Sequence, residues 1–155
     1  MPTGSAGELR EHELPPVRHQ IVAWTAVAGV AALVSTVANV RKARAARMPV
    51  LSGPGRKLLL SFSPPMLVGA LLTVVLFRAG YVGILPGLWL LLYGTAVVAG
   101  GAFSVRIVPV MGACVMVVGA VALFASPALG NLFMGLGFGA LHLIFGTLIA
   151  RRHGG

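Results

Sequence analysis

The chain has 155 residues, of which 57% are hydrophobic and 10% charged, with a mean hydropathy of +0.94 and a net charge of +9. About a quarter of the residues in a soluble domain are charged, so this chain has too few polar residues to cover a water-facing surface. We therefore predict an all-α integral membrane helical bundle. The single cysteine excludes an internal disulfide, and the absence of Asp or Glu after Glu13 excludes paired-carboxylate catalysis and carboxylate-coupled transport.

The N-terminal region divides at about residue 20. Residues 1–19 combine Gly, Pro and all three acidic residues, which predicts a disordered extracytoplasmic tail. Residues 20–40 contain no charge and are long enough to cross a hydrocarbon core of ~30 Å. A cleavable signal peptide would have a basic start and a shorter apolar run, so this segment is predicted to be a membrane span. A basic cytoplasmic loop at 41–57 follows it.

The second span is ambiguous at its start. Proline suits the first helical turn and disfavours helix in the residue before it, so Pro64 and Pro65 predict a span at 64–82. A kinked helix beginning at residue 58 is the alternative. Later proline- and serine-containing turns place three more spans at about 86–103, 107–125 and 129–150. Residues 20–155 are thus predicted to form one membrane domain with five transmembrane helices.

Basic residues set the predicted orientation. Nine of the twelve lie on one side of a five-span chain, which predicts that this side is cytoplasmic, with the N-terminus out and the C-terminus in. Anionic headgroups of the lipid bilayer attract such residues by about 1 kcal/mol each. We predict headgroup contact for the basic residues of the 41–57 loop: Arg41, Lys42, Arg44, Arg47, Arg56 and Lys57.

Small residues recur at helical spacing in the predicted spans. Such rows let helix backbones approach closely in lipid, either within one bundle or at a dimer seam, and we favour packing within one bundle. The predicted packing residues are Gly87, Gly94, Gly101, Gly112, Gly119, Gly135, Gly139 and Gly146. Gly137 falls on the opposite face of the last span, so leucine is predicted to be tolerated there.

His142 is the one histidine in the middle of a predicted span. We predict a neutral imidazole hydrogen-bonded to a hydroxyl or carbonyl of a neighbouring helix. His142 is also a weak candidate for binding haem or quinone. The other three histidines lie outside the spans, so no second ligand is available within one chain and no cofactor or metal is predicted. The hydroxyl of Tyr93 is predicted to donate to the backbone or to Thr95.

Two segments, LSGPGRKLLLSFSPPMLVGALL and LPGLWLLLYGTAVVAGGAFSVRIVP, carry a resemblance. Over residues 49–155 the chain resembles a family of small bacterial multi-span inner-membrane proteins that are often encoded beside winged-helix transcriptional regulators. The family has no established activity, so the resemblance implies no catalytic residue. It implies a bacterial membrane protein with a role near a regulator.

Three classes of function agree with these observations. The favoured one is a non-enzymatic packing or interaction module that associates with a second copy or with a membrane or regulatory protein, and modulates a cytoplasmic partner. The alternatives are a small transporter or channel for a neutral solute, and a haem- or quinone-binding membrane subunit. No catalytic motif is present, so we predict that the protein is not an enzyme. Nucleic-acid binding is not predicted, because no basic face with stacking aromatic residues is present.

Overall fold

The computed structural model describes residues 53–102 and 104–153, and before them residues 19, 22–27, 29, 30, 33, 37, 40 and 41. The chain divides into two compact units, Met1–Val50 and Leu51–Gly155. The described residues of the first unit are helical. The predicted 1–19 tail, apart from His19, and much of the predicted 20–40 span and 41–57 loop lie outside the described residues.

The second unit consists, in its described part, of helices joined by short turns. Its elements are α1 (Gly53–Ala79), α2 (Leu85–Gly101), α3 (Ile107–Phe124), α4 (Gly130–Met134), a π-helical segment (Gly135–Ala140) and α5 (Leu141–His153). Short 3₁₀ turns at Val82–Ile84 and Pro127–Leu129 precede α2 and α4. Gly80 directly follows α1 and has a φ of 82°, a conformation that residues with a side chain rarely adopt.

Four helical stretches of the described residues are long and apolar enough to cross a membrane. They are Leu59–Ala79, Val82–Gly101, Ile107–Phe124 and Pro127–Arg152. The chain therefore has the helices of a membrane protein, and the prediction of an all-α fold is confirmed for the described residues. These four stretches correspond to the last four of the five predicted spans.

The start of α1 differs from the prediction. The helix begins at Gly53 and continues through Pro64 and Pro65, so a span starting at residue 64 is wrong. Proline is tolerated inside helices of membrane proteins, where a break would expose several unbonded backbone groups to lipid. Two missing N–H donors therefore cost less than unwinding the apolar turns before them. Arg56 and Lys57 consequently lie within the beginning of a helix rather than in a loop.

The centre of the unit is the antiparallel contact between α2 and α3, the most extensive in the described structure. Five of the predicted packing glycines lie along it: Gly87, Gly94, Gly101, Gly112 and Gly119. A Cβ added at Gly112 would lie 2.8 Å from the carbonyl oxygen of Gly94, and one added at Gly119 would lie 3.0 Å from that of Gly87. The backbones thus meet directly, and Leu90, Val115 and Ala122 are buried in the hydrophobic core.

The last span packs on a face that the sequence did not predict. Met134, Phe138 and Leu141 lie against the buried core, and Gly137 is buried against the side chain of Leu90. The expectation that Gly137 tolerates leucine is therefore wrong. The other three predicted packing glycines, Gly135, Gly139 and Gly146, make no such contact. A Cβ built on any of them would have no described atom of another helix within 4 Å. Small residues permit a close helix contact but do not require one, and here large side chains determine the packing face.

Candidate functional site

Tyr93 lies where three elements of the second unit meet. The centroid of its ring lies 6.0 Å from that of Phe62 in α1, which it meets edge-on. The centroid distances to Phe138 of the π-helical segment and to His142 of α5 are 4.8 Å and 5.4 Å. Centroid separations of 4.5–7 Å are those of favourable aromatic pairs. The side chain of Tyr93 thus joins α2 to both outer spans.

His142 closes a short chain of hydrogen bonds. Its Nε2 lies 2.8 Å from the Tyr93 hydroxyl oxygen, and its Nδ1 lies 3.0 Å from the carbonyl oxygen of Gly137. A carbonyl oxygen can only accept, so Nδ1 carries a proton. In the neutral ring Nε2 then accepts from the Tyr93 O–H. The predicted hydrogen bond from His142 to a hydroxyl of a neighbouring helix is confirmed, whereas the predicted partners of Tyr93 were wrong.

The π-helical segment positions this bond. In a π-helix each N–H pairs with the carbonyl five residues earlier, and the N–H of Leu141 donates to Leu136 in this way. His142 repeats the five-residue step with its side chain, because its Nδ1 reaches the Gly137 carbonyl. The His142 side chain therefore donates a hydrogen bond to a backbone carbonyl of the π-helical segment.

Both ring nitrogens of His142 are thus engaged within the chain. A metal or haem iron would have to displace Tyr93 from Nε2 or Gly137 from Nδ1, because iron binds the unprotonated nitrogen. Among the described residues, no group of three or more His, Cys, Asp or Glu side chains is placed to hold a metal ion. The arrangement is suited to fixing helices against one another.

The other polar side chains of the spans are bonded in a similar way. Trp89 Nε1 donates to Thr73 Oγ1 at 3.0 Å, which links α2 to α1, and the Thr73 hydroxyl donates to the Gly69 carbonyl. The hydroxyls of Thr95 and Thr147 donate to carbonyls one turn earlier. Within the described residues, no buried side-chain nitrogen or oxygen lacks a hydrogen-bond partner.

The predicted headgroup-contact residues are only partly described. Arg41, Arg56 and Lys57 are exposed, and Lys42, Arg44 and Arg47 lie outside the described residues. The Tyr93–His142 pair was not predicted, although a signal was present. Tyr93 and His142 are the only tyrosine and histidine in the middle of predicted spans, and polar groups in lipid tend to pair with one another.

Comparison with protein-family models, with curated proteins and with solved structures finds no match for this chain. The resemblance to regulator-linked bacterial membrane proteins therefore stays a prediction.

Proposed function

We propose that this chain is a non-enzymatic multi-pass membrane protein that acts as an interaction module. The observation that carries the proposal is that Tyr93 is bonded to His142 and Trp89 to Thr73 between the described spans, and that no buried side-chain nitrogen or oxygen of the described residues lacks a partner. A catalytic or transport site needs polar groups that face a substrate. The chain instead uses these groups to join its own helices.

The outer spans leave wide apolar faces open. Only 6% of the residues are buried in the apolar windows of Leu59–Ala79 and Pro127–Arg152, whereas 33% and 28% are buried in the two central spans. Leu71 is 68% exposed and Leu143 is 73% exposed. Lipid and other membrane helices are the surroundings that such faces fit.

We propose a second copy of the chain as the protein partner. Gly135 and Gly139 form a G-x-x-x-G motif, the spacing that supports close pairing of identical helices in lipid. No described residue of another helix fills the space above these two glycines, and Leu132, Leu136 and Leu143 nearby are exposed. The last span therefore offers a self-complementary face.

The alternative functions are less well supported by the same geometry. A path for a neutral solute would need hydroxyl and imidazole groups that face water, but Tyr93, His142 and Thr73 are bonded within the bundle. A haem- or quinone-binding subunit would need His142 to release one of its two partners.

Self-association is tested by energy transfer between donor- and acceptor-labelled copies in liposomes. We expect transfer above the level of random proximity for the wild-type chain and a loss of at least about fivefold in association constant for Gly139→Leu, because leucine holds two backbones apart. Ala70→Leu, which adds a leucine at an exposed position of α1 and not on this face, is the matched control and should retain association. Transfer at the random level in the wild type would contradict the second-copy proposal and leave a different membrane protein as the partner.

The proposal includes five spans, an outside N-terminus and an inside C-terminus in a bacterial inner membrane. Arg56 and Lys57 at the start of α1, Arg106 before α3 and Arg151 and Arg152 in α5 all fall on one side when the four described spans alternate. This side is the cytoplasmic one in the proposal. The exposed Arg56 and Lys57 near the start of α1 are then available to a cytoplasmic partner.

The topology is tested by labelling single cysteines from either side of the membrane in a chain whose Cys114 is replaced by alanine. We expect Ser5→Cys and Ser126→Cys to react with a membrane-impermeant maleimide added outside, and Gly154→Cys to react only after permeabilisation. Ser5 and Gly154 labelled from the same side would contradict an odd number of spans.

A further inference from the structure

The described part of the chain has an open cavity at one end of the bundle, away from the Tyr93–His142 pair. Its volume is about 560 Å³, and it is lined by Ser104, Val105, Arg106, Ile107, Val110 and Arg152. The turn between α2 and α3 and the end of α5 thus bring two arginines to one opening. In the alternating topology proposed above, this end is the cytoplasmic one.

Residues 14–155 have no acidic side chain to balance the positive charge of this opening. The sequence contains no Asp or Glu after Glu13, so residues 14–155 supply no carboxylate side chain to either arginine. Arg106 and Arg152 are both exposed at the cavity. Guanidinium groups bind phosphate oxygens through paired N–H donors, which makes a phosphate group the anion best matched to two arginines.

The rest of the lining favours a lipid over a free ion. Val105, Ile107 and Val110 form the apolar part of the cavity, beside the end of the Ile107–Phe124 span. A phosphate ion gains nothing from such a surface, whereas the glycerol and first acyl carbons of a phospholipid can cover it. Basic pockets at the ends of membrane helices are known to suit anionic headgroups.

We propose that Arg106 and Arg152 form a binding site for the phosphate of an anionic phospholipid, with Ser104 as a further donor and the three aliphatic side chains against the lipid's apolar part. The lining of this site includes none of the six basic residues predicted above to contact headgroups. The inference requires that the chain lies in a bilayer, but it does not require the proposed self-association.

The test uses the full chain purified in a neutral detergent and titrated with phosphatidylglycerol, phosphatidylcholine or inorganic phosphate, with bound lipid counted by native mass spectrometry. We expect phosphatidylglycerol to be retained in preference to phosphatidylcholine. The double variant Arg106→Gln/Arg152→Gln should lose on the order of 30-fold in affinity for phosphatidylglycerol, as expected for two headgroup-contacting arginines.

The matched control is Arg78→Gln/Arg151→Gln, which removes the same charge from exposed arginines that do not line the cavity. An equal loss in this control would overturn the site in favour of general surface attraction. Equal retention of both lipids by the wild-type chain would also overturn it, and this measurement needs no variant to fold. Displacement of phosphatidylglycerol by millimolar inorganic phosphate would assign the cavity to a free phosphate instead.

Discussion

Gly112→Ala is expected to lower the free energy of unfolding by about 1–3 kcal/mol, and Gly112→Leu is expected to abolish the folded yield. A Cβ at Gly112 would meet the Gly94 carbonyl oxygen and the Val98 nitrogen, both at 2.8 Å. These are backbone atoms of α2, so no side-chain rotation can relieve the contact. The measurement is the midpoint of thermal aggregation in detergent, followed by size-exclusion chromatography.

Gly146→Ala is the control for this prediction. The glycine also lies within a predicted span, but no described atom of another helix lies within 4 Å of its added Cβ. Its free energy of unfolding should therefore not fall, because alanine favours a helix over glycine where there is room for the methyl group. If both alanine variants lost the same stability, the direct backbone contact between α2 and α3 would be contradicted.

His142→Leu is expected to cost about 1–3 kcal/mol, because it leaves both the Tyr93 hydroxyl and the Gly137 carbonyl without their partner. His142→Gln keeps a donor and an acceptor and should retain most of the stability. A double-mutant cycle of Tyr93→Phe with His142→Leu isolates the pair, and we expect a coupling of about 0.6–1.7 kcal/mol. No measurable coupling would contradict the hydrogen bond between the two side chains.

The same His142 preparations test the cofactor alternative. Since both ring nitrogens are bonded within the chain, the wild-type protein should purify without haem absorbance. A haem band that disappears in His142→Gln would favour the haem-binding function over the interaction module.

The spans were predictable because hydropathy and length decide them. Backbone groups in lipid must form hydrogen bonds within the chain, so a long apolar run such as 107–125 predicts a helix. The observed helix there is Ile107–Phe124. The start of α1 was not predictable from local rules. Those rules place the start of a helix at Pro64 and Pro65. They describe proteins in water, where the unbonded backbone groups of an interrupted helix can bond to solvent.

The candidate site was predictable only in part. A histidine in lipid must find a hydrogen-bond partner, so the bond of His142 followed from chemistry alone. The identity of the partner depends on how α2 and α5 pack, and Tyr93 is 49 residues away in the chain. The packing face of the last span was missed for a related reason. Glycine spacing predicts where helices are able to approach, whereas the side chains of Met134, Phe138 and Leu141 decide where they do.

The paired prolines of α1 have a mechanical consequence. Proline has no N–H, so Pro64 and Pro65 remove two successive rungs from the hydrogen-bond ladder, which would otherwise end on the carbonyls of Leu60 and Ser61. The first turns of the helix carry Arg56 and Lys57, and the turns after the prolines are mostly apolar until Arg78 in the last turn. We therefore expect α1 to bend more easily at Pro64 and Pro65 than elsewhere along its length. Such a bend would change the tilt of the first turns, which carry Arg56 and Lys57, relative to the turns after the prolines.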